Sequence, residues 1–208
     1  MEQALTIALL TLFAAMTPGA DFAIVTRNAA LRSRAAGIWT AVGIALGLLV
    51  HVAYCVVGVG LVLSRSVALF TLIKFAGALY LIYIGWKGLS KRDPSGATPG
   101  AQVAPTVLST AGAVRMGFFT NALNPKATLF VLSVFTQVVH RSTPMIEGAG
   151  YGLMMAGVAV SWFSFVAIFF SNPVFKRRFQ RHELLIERTM GALILFFGVS
   201  LALATASS

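Results

Sequence analysis

Charged residues are scarce in this chain, and acidic residues are the scarcest. Only 11% of the 208 residues are charged and only six are Asp or Glu, whereas a soluble domain carries roughly 25% charged residues. Hydrophobic residues make up 58% of the sequence, with a mean hydropathy of +0.85. This balance excludes a soluble domain and predicts an all-α integral membrane protein embedded in membrane lipid.

Cysteine is nearly absent as well, because Cys55 is the single one and lies inside an apolar run. One cysteine cannot form an intramolecular disulfide or a cysteine-based metal cluster. His182-Glu183 lacks a second histidine four residues on, so it does not form a zinc motif. A membrane-embedded enzyme would need a nucleophile–base pair or a metal cluster, and the sequence contains neither. We therefore expect no cofactor, no metal site, no catalytic residue and no enzymatic activity.

Apolar runs predict about six transmembrane helices, although the last run is short and a five-span protein stays open. The runs cover about residues 3–26, 36–63, 67–89, 116–140, 145–171 and 190–205. Met1-Glu2-Gln3 lacks the positive charge of a signal peptide, so we expect the first run to be retained. Asn172-Pro173 opens a basic stretch that reaches Arg188 and is typical of an interfacial helix.

A proline- and glycine-rich stretch divides the chain near its middle. Residues 90–115 contain Pro94, Pro99 and Pro105 and begin with a basic cluster. Such a composition predicts a cytoplasmic linker. The chain would then consist of a first three-helix repeat, 1–89, and a second one, 116–208.

The net charge of +10 is distributed as a membrane orientation signal. With the apolar runs numbered 1 to 6 in chain order, basic residues concentrate in the connections between runs 1 and 2, 3 and 4, and 5 and 6. The connections between runs 2 and 3 and between runs 4 and 5 carry only Arg65 and Arg141. The positive-inside rule places the odd connections in the cytoplasm and both termini in the periplasm. The same distribution argues against nucleic acid as a partner.

Helix breakers occur at matching places in the two halves. Thr17-Pro18 and Asn124-Pro125 are 107 residues apart, and at that offset Gly43 matches Gly150. Because each half has three spans, the second must enter the membrane in the opposite direction. Inverted repeats with interrupted helices at matching positions, here helices 1 and 4, mark the binding site of many secondary transporters.

The two breaks predict a site for a zwitterion. Thr17 and Asn124 are good N-cap residues, and each precedes a proline at the favoured first helical position. Free N–H groups at a helix start suit a carboxylate, while Asp21 could pair an ammonium group or carry a proton. The predicted substrate-binding residues are Thr17, Pro18, Gly19, Asp21, Asn124, Pro125 and Lys126. Two simpler interpretations stay open: the prolines only kink their helices, and Lys126 forms a structural ion pair with Asp21 or snorkels.

The second apolar run, residues 36–63, carries a stripe of small residues with one histidine. Gly43, Gly47, His51 and Gly58 recur at helical spacing, which favours close helix packing. His51 could relay protons or donate a hydrogen bond to a neighbouring carbonyl, and both alternatives stay open. Asp21 and His51 are the candidates for proton coupling.

At these residues the chain resembles the LysE/RhtB family of amino-acid exporters. The similar stretches are T-P-G-A-D-F-A-I-V-T-R at 17–27, G-I-A-L-G-L-L-V-H at 43–51, G-A-L-Y-L-I-Y-I-G at 77–85 and G-F-F-T-N-A-L-N-P-K-A at 117–127. The resemblance implies export of amino acids or close derivatives from the bacterial inner membrane by proton antiport. The family's first motif commonly reads Pro-Gly-Pro, whereas this chain has Ala20 in place of the second proline.

The family's substrates include lysine, arginine, threonine, homoserine and homoserine lactone, and the sequence does not select among them. An exporter of another small metabolite or of a metal ion is the nearest alternative. Asp21, His51 and Cys55 are too few ligands for a dedicated metal site. A structural subunit would explain neither break, and an assembly of identical chains is compatible with the sequence.

Overall fold

The computed structural model describes residues 2–65, 67–90, 108–138 and 144–206, and its regular structure there is entirely α-helical. The helices are α1 (Glu2–Met16), α2 (Ala20–Leu31), α3 (Arg34–Arg65), α4 (Val67–Leu89), α5 (Thr110–Ala122), α6 (Pro125–Val138), α7 (Met145–Phe170) and α8 (Pro173–Ala206). This confirms an all-helical protein with interruptions in the first and fourth apolar runs. Residues 91–107 of the predicted linker lie outside the described residues.

Two sequence-based boundaries were wrong. The predicted interfacial helix and the sixth span form one continuous helix, α8, because no breaker separates Arg188 from Met190. The end of the predicted linker is helical, since α5 already begins at Thr110. The Ser109 hydroxyl accepts a hydrogen bond of 3.1 Å from the N–H of Gly112, which is the N-cap geometry that stabilises a helix start.

The number of membrane spans is supported only in part. Residues 34–58 of α3 and all of α7 are long and apolar enough to cross a membrane, and α1 with α2 would form a third span bent by 61°. These helices support a multi-pass membrane protein. The six-span count stays a prediction.

Helix α3 lies at the centre of the bundle, where it packs along α5 and α7 and also contacts α2 and α6. Its crossing with α5 brings backbone against backbone, since a Cβ atom at Gly43 would meet the carbonyl oxygen of Val114. Likewise, a Cβ atom at Gly117 would meet the carbonyl oxygen of Thr40. These contacts confirm a packing role for Gly43, while a Cβ atom at Gly58 would meet no described atom within 4 Å.

The order of elements repeats along the chain. A broken helix pair, α1–α2 or α5–α6, is followed each time by two longer helices. The long helices also pair across the halves, α3 with α7 and α4 with α8. The opposite membrane direction of the halves stays a prediction, and so does the division of the chain into two three-helix repeats.

Candidate functional site

The first break differs from its sequence-based prediction. Thr17 does not cap the second half-helix, because its hydroxyl donates a 2.9 Å hydrogen bond to the carbonyl of Phe13 and extends the bonding of α1. Pro18 then interrupts the helix, since it lacks an N–H group and disfavours a helical conformation of the residue before it. Gly19 is the N-cap of α2, with extended backbone angles (φ −166°, ψ −165°) and no side-chain cap.

The start of α2 consequently keeps free donors. The first helical hydrogen bond of α2 runs from the N–H of Ala23 to the carbonyl of Gly19, at 2.9 Å. The N–H groups of Ala20 and Asp21 precede it and have no partner within the helix. They form an uncapped positive helix end beside the Asp21 carboxylate.

The second break confirms the predicted cap. The Asn124 side-chain oxygen accepts a 3.0 Å hydrogen bond from the N–H of Lys126, and the Asn124 carbonyl accepts one of 3.1 Å from the N–H of Thr128. Pro125 occupies the first helical position. The start of α6 is therefore satisfied largely by its own sequence, so the two breaks are not equivalent.

Asp21 connects the two breaks. Its Oδ2 atom accepts hydrogen bonds from the side-chain amides of Asn121, at 2.9 Å, and Asn124, at 3.3 Å. The second oxygen, Oδ1, is buried and has no hydrogen-bond partner among the described residues, and the same holds for Oδ1 of Asn121. Buried polar atoms are nearly always paired. Two such acceptors are therefore available to a hydrogen-bond donor.

Lys126 holds the end of α1. Its ammonium group donates hydrogen bonds to the carbonyls of Thr17, at 3.2 Å, and Ala14, at 3.4 Å. A cation is favoured at this position, because the last carbonyls of a helix lack helical partners and carry the negative end of the dipole. Lys126 of the second half thus stabilises the break of the first half.

Residues of both breaks line one cavity, which we call the inner cavity. Its polar wall contains Thr17, Gly19, Asp21, Asn121, Asn124 and Lys126. Its apolar wall is formed by side chains of α1, α3, α6 and α7, among them Ile44, Leu48, Phe130 and Phe163. Pro18 and Pro125 set the geometry of the breaks but do not line this cavity.

His51 lies outside the inner cavity but next to it. It is only 1% exposed, and its Nε2 atom lies 2.9 Å from the carbonyl oxygen of Asn121. A carbonyl oxygen only accepts, so Nε2 carries a hydrogen, while Nδ1 lies 2.6 Å from the Tyr54 hydroxyl. The hydrogen bond to a neighbouring carbonyl, one of the two alternatives for His51, is therefore present, and proton coupling by His51 stays a prediction.

Sequence reasoning missed Asn121, although it joins the two proton-coupling candidates. Its side chain bonds Asp21, its backbone carbonyl accepts from His51, and it is only 2% exposed. The available signal was its closeness to the second break, which Asn121 precedes by three residues.

Comparison with known proteins places this architecture in a family. The model of the LysE type translocator family matches residues 12–205. The chain is 31% identical to a threonine efflux protein of Escherichia coli strain K12, over 95% of this chain and 96% of that protein. It is 30% identical to a threonine efflux protein of Salmonella typhi, over 94% and 95% of the two chains.

A leucine efflux protein of Salmonella choleraesuis is 25% identical, over 95% of this chain and 92% of that protein. No solved structure matches the chain. The family match covers nearly the whole sequence and includes both breaks, both halves and every residue of the inner cavity's polar wall. The chain belongs to the LysE type translocators.

Proposed function

We propose that this protein exports an amino acid with a neutral side chain across the bacterial inner membrane in exchange for protons. Both termini would lie in the periplasm, as the distribution of basic residues predicts. The pair of unpartnered buried acceptors in the inner cavity carries the proposal. Membership of a translocator family and the efflux named for its relatives support it.

The inner cavity offers complementary groups for a zwitterion. A substrate ammonium group would bind Oδ1 of Asp21 and Oδ1 of Asn121, which have no other partner among the described residues. A carboxylate would lie at the uncapped start of α2, near the N–H group of Asp21 and the Lys126 ammonium. Charge-assisted hydrogen bonds of this type are about twice as strong as neutral ones.

The remainder of the cavity suits an uncharged side chain. Asp21 is the one carboxylate among the described residues that line it. A lysine or arginine substrate would bring a second cation, which is costly to bury without a partner of its own. The apolar wall around Leu48, Phe130 and Phe163 instead favours an aliphatic or small hydroxyl side chain, in keeping with relatives named for threonine and leucine efflux.

Asp21 also provides a mechanism for antiport. Its carboxylate can hold either a proton or a substrate ammonium group, and the two exclude each other. Substrate release on the periplasmic side would be followed by protonation, and loss of that proton to the cytoplasm would restore the carboxylate for the next substrate. His51 stays the second candidate for the coupling proton.

Substitution of Asp21 tests the proposal. We expect Asp21→Asn to abolish export while the protein still inserts and accumulates, because asparagine keeps the size of the side chain but loses its charge. Cells loaded with a threonine- or leucine-containing dipeptide would be assayed for efflux of the released amino acid. Glu147→Gln is a matched control, since Glu147 is exposed near the start of α7 and its known partner there is the Tyr151 hydroxyl, at 2.6 Å.

Full efflux by Asp21→Asn would contradict the role of Asp21, whereas equal loss in both variants would point to a general effect of removing a carboxylate. A screen of amino acids for growth rescue on overexpression would identify the substrate. A metal ion as the cargo has little support, because the described residues contain no cluster of three His, Cys, Asp or Glu side chains.

A further inference from the structure

A second cavity lies on the other side of the first break, and we call it the vestibule. Its outer wall is the last turns of α4, with Tyr80, Tyr83, Trp86 and Lys87, followed by Ser90. Its inner wall is shared with the inner cavity and consists of Thr17, Gly19, Ala20, Asn124 and Lys126. Residues of the first break, together with Asn124 and Lys126, therefore line both cavities.

The two cavities differ in charge. Lys87 and Lys126 line the vestibule, and none of its described lining residues is acidic. The inner cavity combines Lys126 with Asp21. The Lys87 ammonium lies 5.9 Å from the centre of the Tyr83 ring, and the rings of Tyr80 and Tyr83 are 6.2 Å apart. A cation stacked on an aromatic ring and two tyrosine side chains therefore line the same cavity.

We propose that the vestibule is a second substrate site that binds the carboxylate end of the amino acid before it passes the first break. This inference rests on the proposed function. Lys87 and the tyrosine hydroxyls supply a cation and donors for a carboxylate. Lys126 faces both cavities, so it can receive the carboxylate while the ammonium group approaches Asp21.

Anchoring at the membrane surface is a simpler explanation for some of the α4 side chains in the outer wall of the vestibule. Tryptophan and lysine at a helix end commonly mark the membrane surface, and Trp86 is 64% exposed. Anchoring does not account for Tyr80, which is half-buried about two turns before Lys87 and faces the break. It also does not account for a cavity whose inner wall is the predicted substrate site.

Binding of simple probes tests the vestibule on the purified full chain. Propionate carries a carboxylate without an ammonium group, and propylamine carries an ammonium group without a carboxylate. We expect propionate to change the tryptophan fluorescence saturably and propylamine to leave it unchanged. The change should vanish in Trp86→Phe, because Trp86 is the tryptophan that lines the vestibule.

Variants then assign the contacts. We expect Lys87→Gln to raise the half-saturating propionate concentration about fivefold, a modest effect because the lysine is exposed to solvent. Tyr80→Phe should raise it about twofold. Arg34→Gln is the matched control, because Arg34 is an exposed cation at the start of α3 and does not line the vestibule.

Failure of this inference can be told apart from failure of the proposed function. Absence of a saturable propionate signal, or an equal effect of Arg34→Gln and Lys87→Gln, would overturn the vestibule while leaving amino-acid export intact. Conversely, export by the Asp21→Asn variant would refute the role of Asp21. The expected binding of propionate in the vestibule would still stand.

Discussion

A single residue, Asn121, connects Asp21, His51 and Asn124 through three hydrogen bonds. Its side chain orients Asp21, and its carbonyl, at the end of α5, accepts from both the N–H of Asn124 and the His51 ring. His51 therefore reinforces a helix end, where carbonyl groups lack helical partners. Movement of His51 would shift Asn121 and, through it, the Asp21 carboxylate.

Substitutions of His51 separate a positioning role from proton coupling. We expect His51→Phe to lower the stability by about 1 kcal/mol, because the carbonyl of Asn121 loses a buried donor. That corresponds to a melting temperature lower by roughly 2–4 °C for a chain of this size. His51→Gln should retain most of the stability and the export, since its amide can donate to the same carbonyl.

Melting in detergent and dipeptide-loaded efflux would be measured on both variants. If both lose export at nearly unchanged melting temperature, the coupling proton belongs to His51 and the positioning role is wrong.

The sequence predicted which residues lie at the site better than it predicted which residues they hydrogen-bond. The sequence predicted a carboxylate, a lysine and an asparagine at the two breaks, and all three line the inner cavity. It did not predict that Lys126 would bond the end of α1 or that Asn121 would bond Asp21. Such partners depend on the 61° bend between α1 and α2 and on how the helices are rotated, which spacing along the chain does not determine.

The elements show why the start of α2 was predicted two residues too early. The sequence pattern favoured Thr17 as an N-cap, but its hydroxyl bonds back to Phe13 instead, a competing geometry common for threonine. The second break followed the same pattern and was predicted correctly, because Asn124 accepts from the N–H of Lys126. The bounds of α4 were predicted to the residue, while the prediction divided α8 into two helices where the structure has one.

Ala20 tests the geometry of the first break. Ala20 is the first helical residue of α2, a favoured position for proline, and Gly19 before it has the extended backbone that a following proline requires. We therefore expect Ala20→Pro, which creates the family's Pro-Gly-Pro motif, to insert, fold and export normally. Asp21→Pro is not a suitable control, because it removes the carboxylate.

Ala23→Pro provides the contrast, since the N–H of Ala23 donates to the carbonyl of Gly19. Loss of this hydrogen bond to a proline should lower the stability of the protein by about 3 kcal/mol. Accumulation and efflux of both variants would be compared. Loss of export in a well-folded Ala20→Pro would show that the N–H of residue 20 binds the substrate.

Over the whole molecule, the repeat predicts the order of elements better than their packing. Matching the two breaks aligns Gly43 with Gly150, yet the two glycines have different surroundings. Gly43 lies in the crossing of α3 and α5, whereas a Cβ atom at Gly150 would meet no described atom within 4 Å. Close packing depends on which helices meet. Helix α3 packs against α5 more extensively than α7 packs against α1, the pair that corresponds to it in the repeat.

Glycine-to-alanine variants test this difference in packing between Gly43 and Gly150. Gly117 belongs to the α3–α5 crossing, where an added Cβ would collide with the Thr40 carbonyl, a backbone atom that cannot rotate away. We expect Gly117→Ala and Gly43→Ala to lower stability by roughly 1–3 kcal/mol, the usual cost of overpacking. Gly150→Ala should instead be neutral or stabilising by up to about 1 kcal/mol, because alanine favours the helix and meets no described neighbour.

Thermal melting of the three purified variants would distinguish these outcomes, and efflux would show whether the crossing also positions the site. Asn121 lies one turn beyond Gly117 on α5, so displacement of the crossing should disturb Asp21 and lower export along with stability. A stable Gly117→Ala would mean that α5 can shift without cost, and equal destabilisation by Gly150→Ala would mean that a partner covers that face of α7.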